Sequence, residues 1–424
     1  MSQPSTSRTR RIPRSSDHDA VARPLTRAAA AAARARSATT GALATGAAVA
    51  VGLGRAGPVA SALVERRLNR VHQRGPYRVS ARAAELHRDL TVVDLHADSL
   101  LWGRDLLRRA TYGHVDVPRL IDGGVALVGF AASTKVPRSA NLERNDDTTD
   151  DVTLIARALR WPPATRHSLL ARARHLADRL RAMTEASGGR LTIIETRRDL
   201  ESYLTRRSAD PGITAAFLAI EGAHALDGDL ENIATLARVG YRMLSPTHFF
   251  DTPFAGSAHG AVQGGLTGLG RELLSRVEAA GLVLDVSHAS SATIDDVLSL
   301  ASRPVVASHT GVRAAVPGIR NLPDDQVRGI ASTGGLVGIG FWPVVCGGRD
   351  AASIARSIMI AIELAGVEHV GLGSDFDGAV PTPFDATGMP LLTDALLADG
   401  LSDADIAAVM GGNAIRLLRA SLPA

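Results

Sequence analysis

The chain has 424 residues, of which 45% are hydrophobic and 21% are charged. This balance is typical of a globular protein with a large core, and it excludes disorder for most of the chain. Length alone leaves the number of domains open, because a single α/β barrel commonly uses about 250 residues or more.

Positive charge is concentrated at the start of the chain. Residues 1–74 contain 13 Arg, no Lys and three acids, a net charge of +10, so a total of +4 leaves −6 for the remainder. The remainder lacks a basic stripe with interleaved aromatic residues, and we therefore expect no nucleic-acid partner. Cys346 is the only cysteine, which excludes an intramolecular disulfide and a cysteine-rich metal site.

Residues 1–75 are predicted to form a basic, disordered, Ala/Arg-rich extension. The extension contains 18 uncharged residues from Ser37 to Gly54, which is at the lower limit of length for a membrane span. Ala, Gly and Thr dominate this stretch, so the gain from inserting it into a membrane is small. A signal peptide, a membrane anchor and a solvated tail remain open, and so does the choice between a cytoplasmic and a membrane-associated location.

Residues 76–424 are predicted to form one domain, a (β/α)8 barrel of the TIM type. Short apolar runs alternate here with helical stretches, which is the signature of parallel βα units. Eight such units close most naturally into a barrel, and a ninth run, Leu191–Ile194, is expected outside the main sheet. The eight predicted strands are Thr91–Leu95, Val125–Phe130, Thr214–Ile220, Tyr241–Ser245, Leu282–Val286, Val305–Ala307, Leu336–Phe341 and Val370–Gly373.

Several intervening stretches are predicted helices, and Ser291 and Asp324 are suitable N-cap residues for two of them. The polar segment Lys135–Leu170 follows the second strand and is too long for a simple turn. It is either a lid or substrate wall, or an insertion without a functional role. The predicted helices include Leu230–Val239, Gly268–Ala280, Ser291–Ala301 and Asp324–Ser332.

Six of the eight runs end in a His or an acidic residue. The strand ends of a barrel converge on one face, where barrel active sites lie. His96 and Asp98 are two residues apart, so their side chains point to one side of an extended backbone. His288 and His309 each end a run, about one βα unit apart, which favours a metal site over core histidines. The six ends are Asp94-Leu95-His96-Ala97-Asp98, Ile220-Glu221, Thr247-His248, Val286-Ser287-His288, Ser308-His309 and Ser374-Asp375-Phe376-Asp377.

Glu221 follows an apolar strand, where an unpaired buried carboxylate is costly. A position between two cations would remove that cost. Related barrel hydrolases often use a carboxylated lysine as the bridge, but Lys135, the only lysine, is not at a predicted strand end. We therefore expect Glu221 to bridge two metal ions.

Seven motifs follow one another along the chain, and any one of them alone would be weak evidence. They are Asp94-Leu95-His96-Ala97-Asp98, Ile220-Glu221-Gly222-Ala223-His224-Ala225, Asp285-Val286-Ser287-His288, Ser308-His309, Arg320-Asn321-Leu322-Pro323-Asp324-Asp325, Gly373-Ser374-Asp375-Phe376-Asp377-Gly378 and Gly412-Asn413. In this order and spacing, over residues 80–418, they resemble the membrane (renal) dipeptidase family of zinc metallopeptidases.

The resemblance implies a centre of two zinc ions. His96, Asp98 and Glu221 would bind one ion, and Glu221, His288 and His309 would bind the other. Such a pair lowers the pKa of bound water toward neutrality and stabilises the charge that develops on the substrate. The implied activity is that of a dipeptidase, in which a hydroxide between the metals attacks the amide bond of a dipeptide.

The resemblance also implies roles for three further residues. Asp375 would be the acid/base that accepts and returns the proton of the hydroxide. His248 would stabilise the carbonyl oxygen as it becomes an oxyanion, with a structural histidine as the alternative. Arg320 would hold the free carboxylate of the substrate through its guanidinium fork, with a surface salt bridge as the alternative. His224, His114, His259 and Asp377 are expected to be supporting or structural residues.

Three features depart from the family pattern. The chain lacks the cysteines that form disulfides in mammalian members, so a homodimer, if formed, would not be disulfide-linked. Phe249 and Phe250 follow His248, where many members have smaller polar residues, which leaves the substrate preference open. The basic extension has no counterpart in the family, and contact with a membrane through it stays open.

Two alternatives to a dipeptidase remain. One is a related binuclear amidohydrolase that acts on N-acyl amino acids, lactams or other amides, since Arg320 indicates only a free carboxylate. The other is a non-catalytic, metal-binding, membrane-associated protein. The complete ligand set together with Asp375 argues against this second alternative.

Overall fold

The computed structural model describes residues 57–424. Eight parallel strands form a closed ring in the order β2-β1-β10-β9-β7-β6-β5-β4, and the pairing of β2 with β4 closes it. The protein is thus a (β/α)8 barrel, as predicted. The strands are β1 (Val92–Ala97), β2 (Val125–Ser133), β3 (Leu191–Ile193), β4 (Thr214–Glu221), β5 (Tyr241–Leu244), β6 (Val283–Asp285), β7 (Val305–Val312), β8 (Asn321–Leu322), β9 (Leu336–Ile339) and β10 (Val370–Leu372).

All eight predicted strands are present, with ends shifted by a few residues. The ninth run forms β3, which pairs with β4 outside the ring, and the short β8 pairs with β7. The α-helices are Gly57–Leu68, Ala81–Asp89, Val117–Asp122, Val152–Ala158, Leu169–Ala186, Arg197–Ala209, Asn232–Arg238, Gly268–Ala279, Ser291–Leu300, Asp324–Ser332, Pro343–Cys346, Ala351–Ala365, Met389–Ala398, Asp403–Ala407 and Asn413–Ser421.

Side chains along β4 point alternately into the barrel interior and toward its outer face. Phe217 and Ala219 belong to a buried cluster that also contains Met243 and Val306 from neighbouring strands. Side chains two residues apart share one face of a strand, so Glu221 continues this inner face at the end of β4. In β2, Gly129 accommodates Phe217, because a Cβ at Gly129 would lie 2.6 Å from the phenyl ring.

The predicted N-cap residues were wrong by one position. Ser290, not Ser291, precedes its helix, and the Ser290 hydroxyl accepts a hydrogen bond from the Thr293 amide. Pro323 occupies the N-cap position of the helix that begins at Asp324, so Asp324 lies in the first turn. A carboxylate in the first turn still stabilises a helix through the positive end of its dipole.

The predicted domain boundary at residue 75 stays a prediction, and the predictions about residues 1–56 lie outside the described residues. Residues 57–68 form a helix that packs against Val152–Ala158, so the predicted disorder of the extension is wrong for these residues. Between residues 57 and 424, no helix is both long and apolar enough to cross a membrane.

Candidate metal centre

Five of the residues expected at the site lie at the carboxyl ends of barrel strands. His96 is the second-last residue of β1, Glu221 is the last residue of β4, and His309 lies within β7. His288 and Asp375 each follow a strand by three residues. All five are buried, with at most 8% of each residue exposed. Residues far apart in the chain therefore meet in one buried site.

The Glu221 carboxylate lies at the centre of this group. Its Oε1 is 3.2 Å from His288 Nε2 and 3.6 Å from both His96 Nε2 and His309 Nε2. Its Oε2 is 3.3 Å from His248 Nε2. One carboxylate therefore contacts four imidazoles, which places Glu221 where a bridging ligand would be needed.

The donor atoms fit a metal site. His96, Asp98 and Glu221 form one group whose ligand atoms lie within 4.8 Å of one another. His288 Nε2 and His309 Nε2 are 2.9 Å apart, beside Glu221 Oε1. His96 Nε2 and one Asp98 oxygen are buried without a hydrogen-bond partner among the described residues, and a cation would satisfy both. The structure thus brings together both predicted ligand sets, whose roles remain predictions.

Burial sets the charge state of these groups. It lowers the pKa of His288 and His309 well below the usual value, and Arg320 and neighbouring histidines lower it further. Neutral imidazole is the form that binds metals. Burial also opposes a charge on His96, yet the carboxylates of Asp98 and Glu221 raise the pKa of His96 to about 10, and a metal ion would take the place of that proton.

The pKa values of two acids at the site, Glu221 and Asp375, are also shifted. Burial raises the pKa of Glu221 and of Asp375 well above the usual value, and the charge of Asp98 raises both further. Arg320 and His96 supply positive charge near these carboxylates, and bound divalent cations would supply more. Both His288 (φ 64°) and Asp375 (φ 59°) have left-handed backbone conformations, which non-glycine residues rarely adopt outside functional sites.

Asp285 and Ser308 orient two of the imidazoles, and neither residue was predicted to have a role. The Ser308 hydroxyl is 2.6 Å from an Asp285 carboxylate oxygen, 2.9 Å from His309 Nδ1 and 3.4 Å from His96 Nδ1. A carboxylate can only accept, so the single hydroxyl proton goes to Asp285 and the hydroxyl accepts from both rings. Both Nε2 atoms are then free to bind metal.

A second acid supports the other side of the site. The Asp94 carboxylate accepts hydrogen bonds from the Ser374 hydroxyl (2.5 Å) and amide (2.8 Å) and from the His96 amide. It therefore ties β1 to the segment that carries Asp375. A signal was available in the sequence, because Asp94 and Asp285 each precede a predicted histidine ligand by two or three residues.

Arg320 is buried at the site rather than on the surface, so the surface salt bridge considered for it is wrong. Its Nη2 donates to the His309 carbonyl (2.7 Å) and lies 3.2 Å from His288 Nε2. Its guanidinium also stacks near Trp342, 5.4 Å from the ring centre. No carboxylate among the described residues pairs with it, which leaves the guanidinium able to bind a ligand carboxylate.

These groups face a cavity of about 450 Å³, within the usual range for small-molecule sites. Part of the segment Lys135–Leu170 forms one wall, since Val136, Ala140 and Leu142 line the cavity. The segment is anchored by the Asn145 amide, which donates to the His259 carbonyl at 2.8 Å. Of the two interpretations of this segment, the substrate wall is the one that matches its position.

The remaining histidines and Lys135 lie beside the centre. His259 Nδ1 is 2.8 Å from the Leu142 carbonyl, and His114 Nδ1 accepts from the Asp377 amide. His224 packs against Phe250. β2 extends further than predicted, which places Lys135 two residues beyond a strand end. Its ammonium nevertheless donates to the Asp147 carbonyl, so the alternative of a lysine bridge finds no support.

The closed barrel and the buried ring of His, Asp and Glu residues together define a metallohydrolase of the barrel class. Within this class, the sequence of the chain matches one family. The family described as Membrane dipeptidase (Peptidase family M19) matches residues 80–422. The chain therefore belongs to the membrane dipeptidase family, which confirms the predicted resemblance and the prediction of a metallopeptidase.

Individual relatives agree with this assignment. Dipeptidase aclJ of Aspergillus oryzae is 35% identical over 218 residues, which span 49% of this chain and about half (52%) of that protein. Dipeptidase verJ of Clonostachys rogersoniana is 29% identical over 354 residues, covering 80% of this chain and 86% of that one.

Two solved structures have similar folds. One, described as the dipeptidase AC, a metallopeptidase, is 29% identical with a TM-score of 0.62, and the match covers 79% of this chain and 99% of that one. The other is a metallopeptidase of Rhodobacter sphaeroides, liganded with a phosphinate mimic of the dipeptide L-Ala-D-Ala. It is 27% identical with a TM-score of 0.63, over 78% of this chain and 99% of that one.

Proposed function

We propose that the protein is a zinc-dependent dipeptidase that hydrolyses the amide bond of dipeptides. The observation that carries this proposal is the Glu221 carboxylate in contact with four imidazoles. Arg320, which has no carboxylate partner among the described residues, lines the same cavity. The relatives named dipeptidases, and the dipeptide mimic bound to one related structure, support the same activity.

In this proposal His96 and Asp98 would hold one zinc ion, His288 and His309 would hold the other, and Glu221 would be a ligand shared by both. Two zinc ions at this place would lower the pKa of water and offset negative charge on the carbonyl oxygen. The protein contributes a largely buried cavity, and Ser308 contacts the Nδ1 atoms of His309 and His96 so that their Nε2 atoms face the site.

Asp375 is positioned to move a proton. Its carboxylate lies within 4.8 Å of ligand atoms of His96 and His309, and a carboxylate at this position can act as general base toward water bound beside it. It would take a proton from the attacking water and return it to the leaving amine. His248, on the opposite side of Glu221, would stabilise the carbonyl oxygen.

Arg320 fixes which end of the substrate is bound. A guanidinium without an acidic partner in a buried site has a strong preference for a carboxylate. The substrate's carboxyl-terminal residue would therefore lie beside Arg320 and Trp342, and the scissile amide would lie over Glu221.

The test combines metal analysis with a substrate panel. Zinc-loaded protein should contain two zinc ions per chain and hydrolyse dipeptides with L- or D-configured carboxyl-terminal residues, and chelation should abolish hydrolysis. Dipeptide amides, which lack the carboxylate that Arg320 would bind, are the matched control and should be poor substrates. Hydrolysis of N-acyl amino acids or lactams in preference to all dipeptides would replace this proposal by the amidohydrolase alternative.

A further inference from the structure

The helix Gly57–Leu68 lies before the family match, which begins at residue 80. Together with the helix Val152–Ala158 it encloses a second compartment of about 100 Å³ near the active-site cavity. Liquid water takes about 30 Å³ a molecule, so the compartment has room for one aliphatic side chain. Its lining from these two helices includes Ala60, Ser61, Val64, Leu68, Leu154 and Ile155.

The compartment and the active-site cavity share a wall. Leu101, Trp102, Val136 and Ala379 line both of them. Trp102 is fixed, because its indole N–H donates to the Asp377 carbonyl at 2.7 Å. Leu101 and Val136 have no side-chain hydrogen bond of this kind, and a substrate side chain would have to displace one of them to pass between the two spaces.

The compartment lies across the barrel from Arg320. Its walls come from the segments that follow β1, β2 and β10, whereas Arg320 follows β7. In the ring of eight strands, β2 and β7 are four positions apart in either direction, so they are diametrically opposite. A dipeptide whose carboxylate contacted Arg320 and whose amide lay at Glu221 would then have its amino-terminal residue on the side of the cavity where the compartment lies.

The lining favours an uncharged side chain. Apart from Ser61 and Asp151 every lining residue is apolar, and Asp151 is already paired with Arg138. The Ser61 hydroxyl is buried and has no hydrogen-bond partner among the described residues. A buried hydroxyl of this kind marks a place where a ligand atom or water is held, and a charged side chain would be penalised there.

We propose that this compartment is the subsite for the side chain of the substrate's amino-terminal residue, and that it selects aliphatic chains of the size of leucine, methionine or norleucine. This inference rests on the proposed dipeptidase function. The helix Gly57–Leu68 is then a specificity element outside the matched range of residues 80–422.

The test measures kcat/KM of the zinc-loaded full chain for norleucine-Ala and for Ala-Ala. The wild type should prefer norleucine-Ala by about tenfold or more, the discrimination expected of a hydrophobic pocket. Ser61→Phe fills the compartment and should bring the ratio close to one. Ser61→Leu is a smaller filling change that should lower the ratio if the phenylalanine variant fails to fold, and Leu63→Phe, at an exposed position of the same helix, should leave the ratio as it is.

Three outcomes would overturn the subsite. The first is a wild-type ratio of kcat/KM for norleucine-Ala to kcat/KM for Ala-Ala near one. The second is that neither Ser61 variant lowers this ratio. The third is that the Ser61 variants lower kcat/KM for Ala-norleucine and leave that for norleucine-Ala unchanged. The last result would assign the compartment to the carboxyl-terminal residue. If the protein cleaves Ala-Ala but shows one of these results, only the subsite fails, whereas the absence of cleavage of every dipeptide refutes the proposed function itself.

Discussion

Two clusters of buried carboxylates lie next to each other at the carboxyl end of the barrel. Their negative charge is balanced in different ways. In the first, the Asp377 carboxylate accepts hydrogen bonds from Arg104 (2.5 Å), the Ser99 hydroxyl (2.6 Å) and the His114 amide (2.6 Å). Arg104 also pairs with Glu65. Burial alone would raise the pKa of Asp377, but Arg104 and these hydrogen bonds lower it, so the carboxylate is stable as an anion.

The second cluster, Asp98, Glu221 and Asp375, has no Arg or Lys partner within salt-bridge distance in the part of the chain that the structure describes. Asp98 and Glu221 face His96, whose pKa their charges raise to about 10, and Glu221 also faces His288 and His309, whose pKa burial lowers. The pKa values of Glu221 and Asp375 are raised. Asp375 and Asp377 are only two residues apart, yet one lies in each cluster. The comparison indicates that the first cluster stabilises the fold and the second requires external cations.

The largest effect should follow from removing the central carboxylate. We expect Glu221→Ala to lose bound zinc and to lower kcat/KM by at least about 10³-fold, because several kcal/mol of transition-state stabilisation by the metals are lost. Metal analysis after dialysis and a dipeptide assay measure this. The exposed Glu201, paired with Arg419, offers Glu201→Ala as a control, and two retained zinc ions in Glu221→Ala would contradict the bridging role.

The next effect separates metal binding from proton transfer. Asp375→Asn should keep both zinc ions and lower kcat by about 10²–10⁴-fold, the usual contribution of general acid–base catalysis. The variant's zinc content is the internal control for this experiment. A normal turnover rate would show that another group moves the proton.

Changes in the cluster around Asp377 should lower the stability of the fold and leave zinc binding unchanged. Asp377→Asn leaves the buried Arg104 without one of its two carboxylates, and breaking a buried pair costs about 3–5 kcal/mol of folding free energy. Denaturant unfolding of zinc-free protein should reveal this loss, with zinc stoichiometry unchanged in the loaded protein. The exposed Asp105 provides the control variant Asp105→Asn, and loss of zinc without loss of stability would place Asp377 in the metal centre.

The smallest effect concerns the shared hydroxyl. Ser308→Ala removes the group that orients His309 and His96, and such changes typically cost about 10–100-fold in metal affinity. Competition with a chelator gives the affinity of each zinc ion. Both ions should be weakened, whereas a hydroxyl that served only to connect strands would lower the melting temperature and leave both affinities intact.

Much of this arrangement could be predicted from the sequence. Parallel strands present their carboxyl ends on one face, so His or acid residues at the ends of six apolar runs had to meet there. That argument required only the alternation of strands and helices, and it located His96, Glu221, His288 and His309 together. It could not find the contribution of Ser308, because one of the two rings that share its hydroxyl, His96, lies on another strand, 212 residues from Ser308 in the chain.

The sequence alone therefore determined the barrel, the family and the set of candidate ligands, because these depend on periodicity and on local motifs. The tertiary structure decided which buried acids are compensated, since Arg104 reaches Asp377 and not Asp375. It also decided that residues 57–68 pack beside the site and that the segment after β2 lines the cavity. These features depend on contacts between distant parts of the chain, which no local pattern encodes.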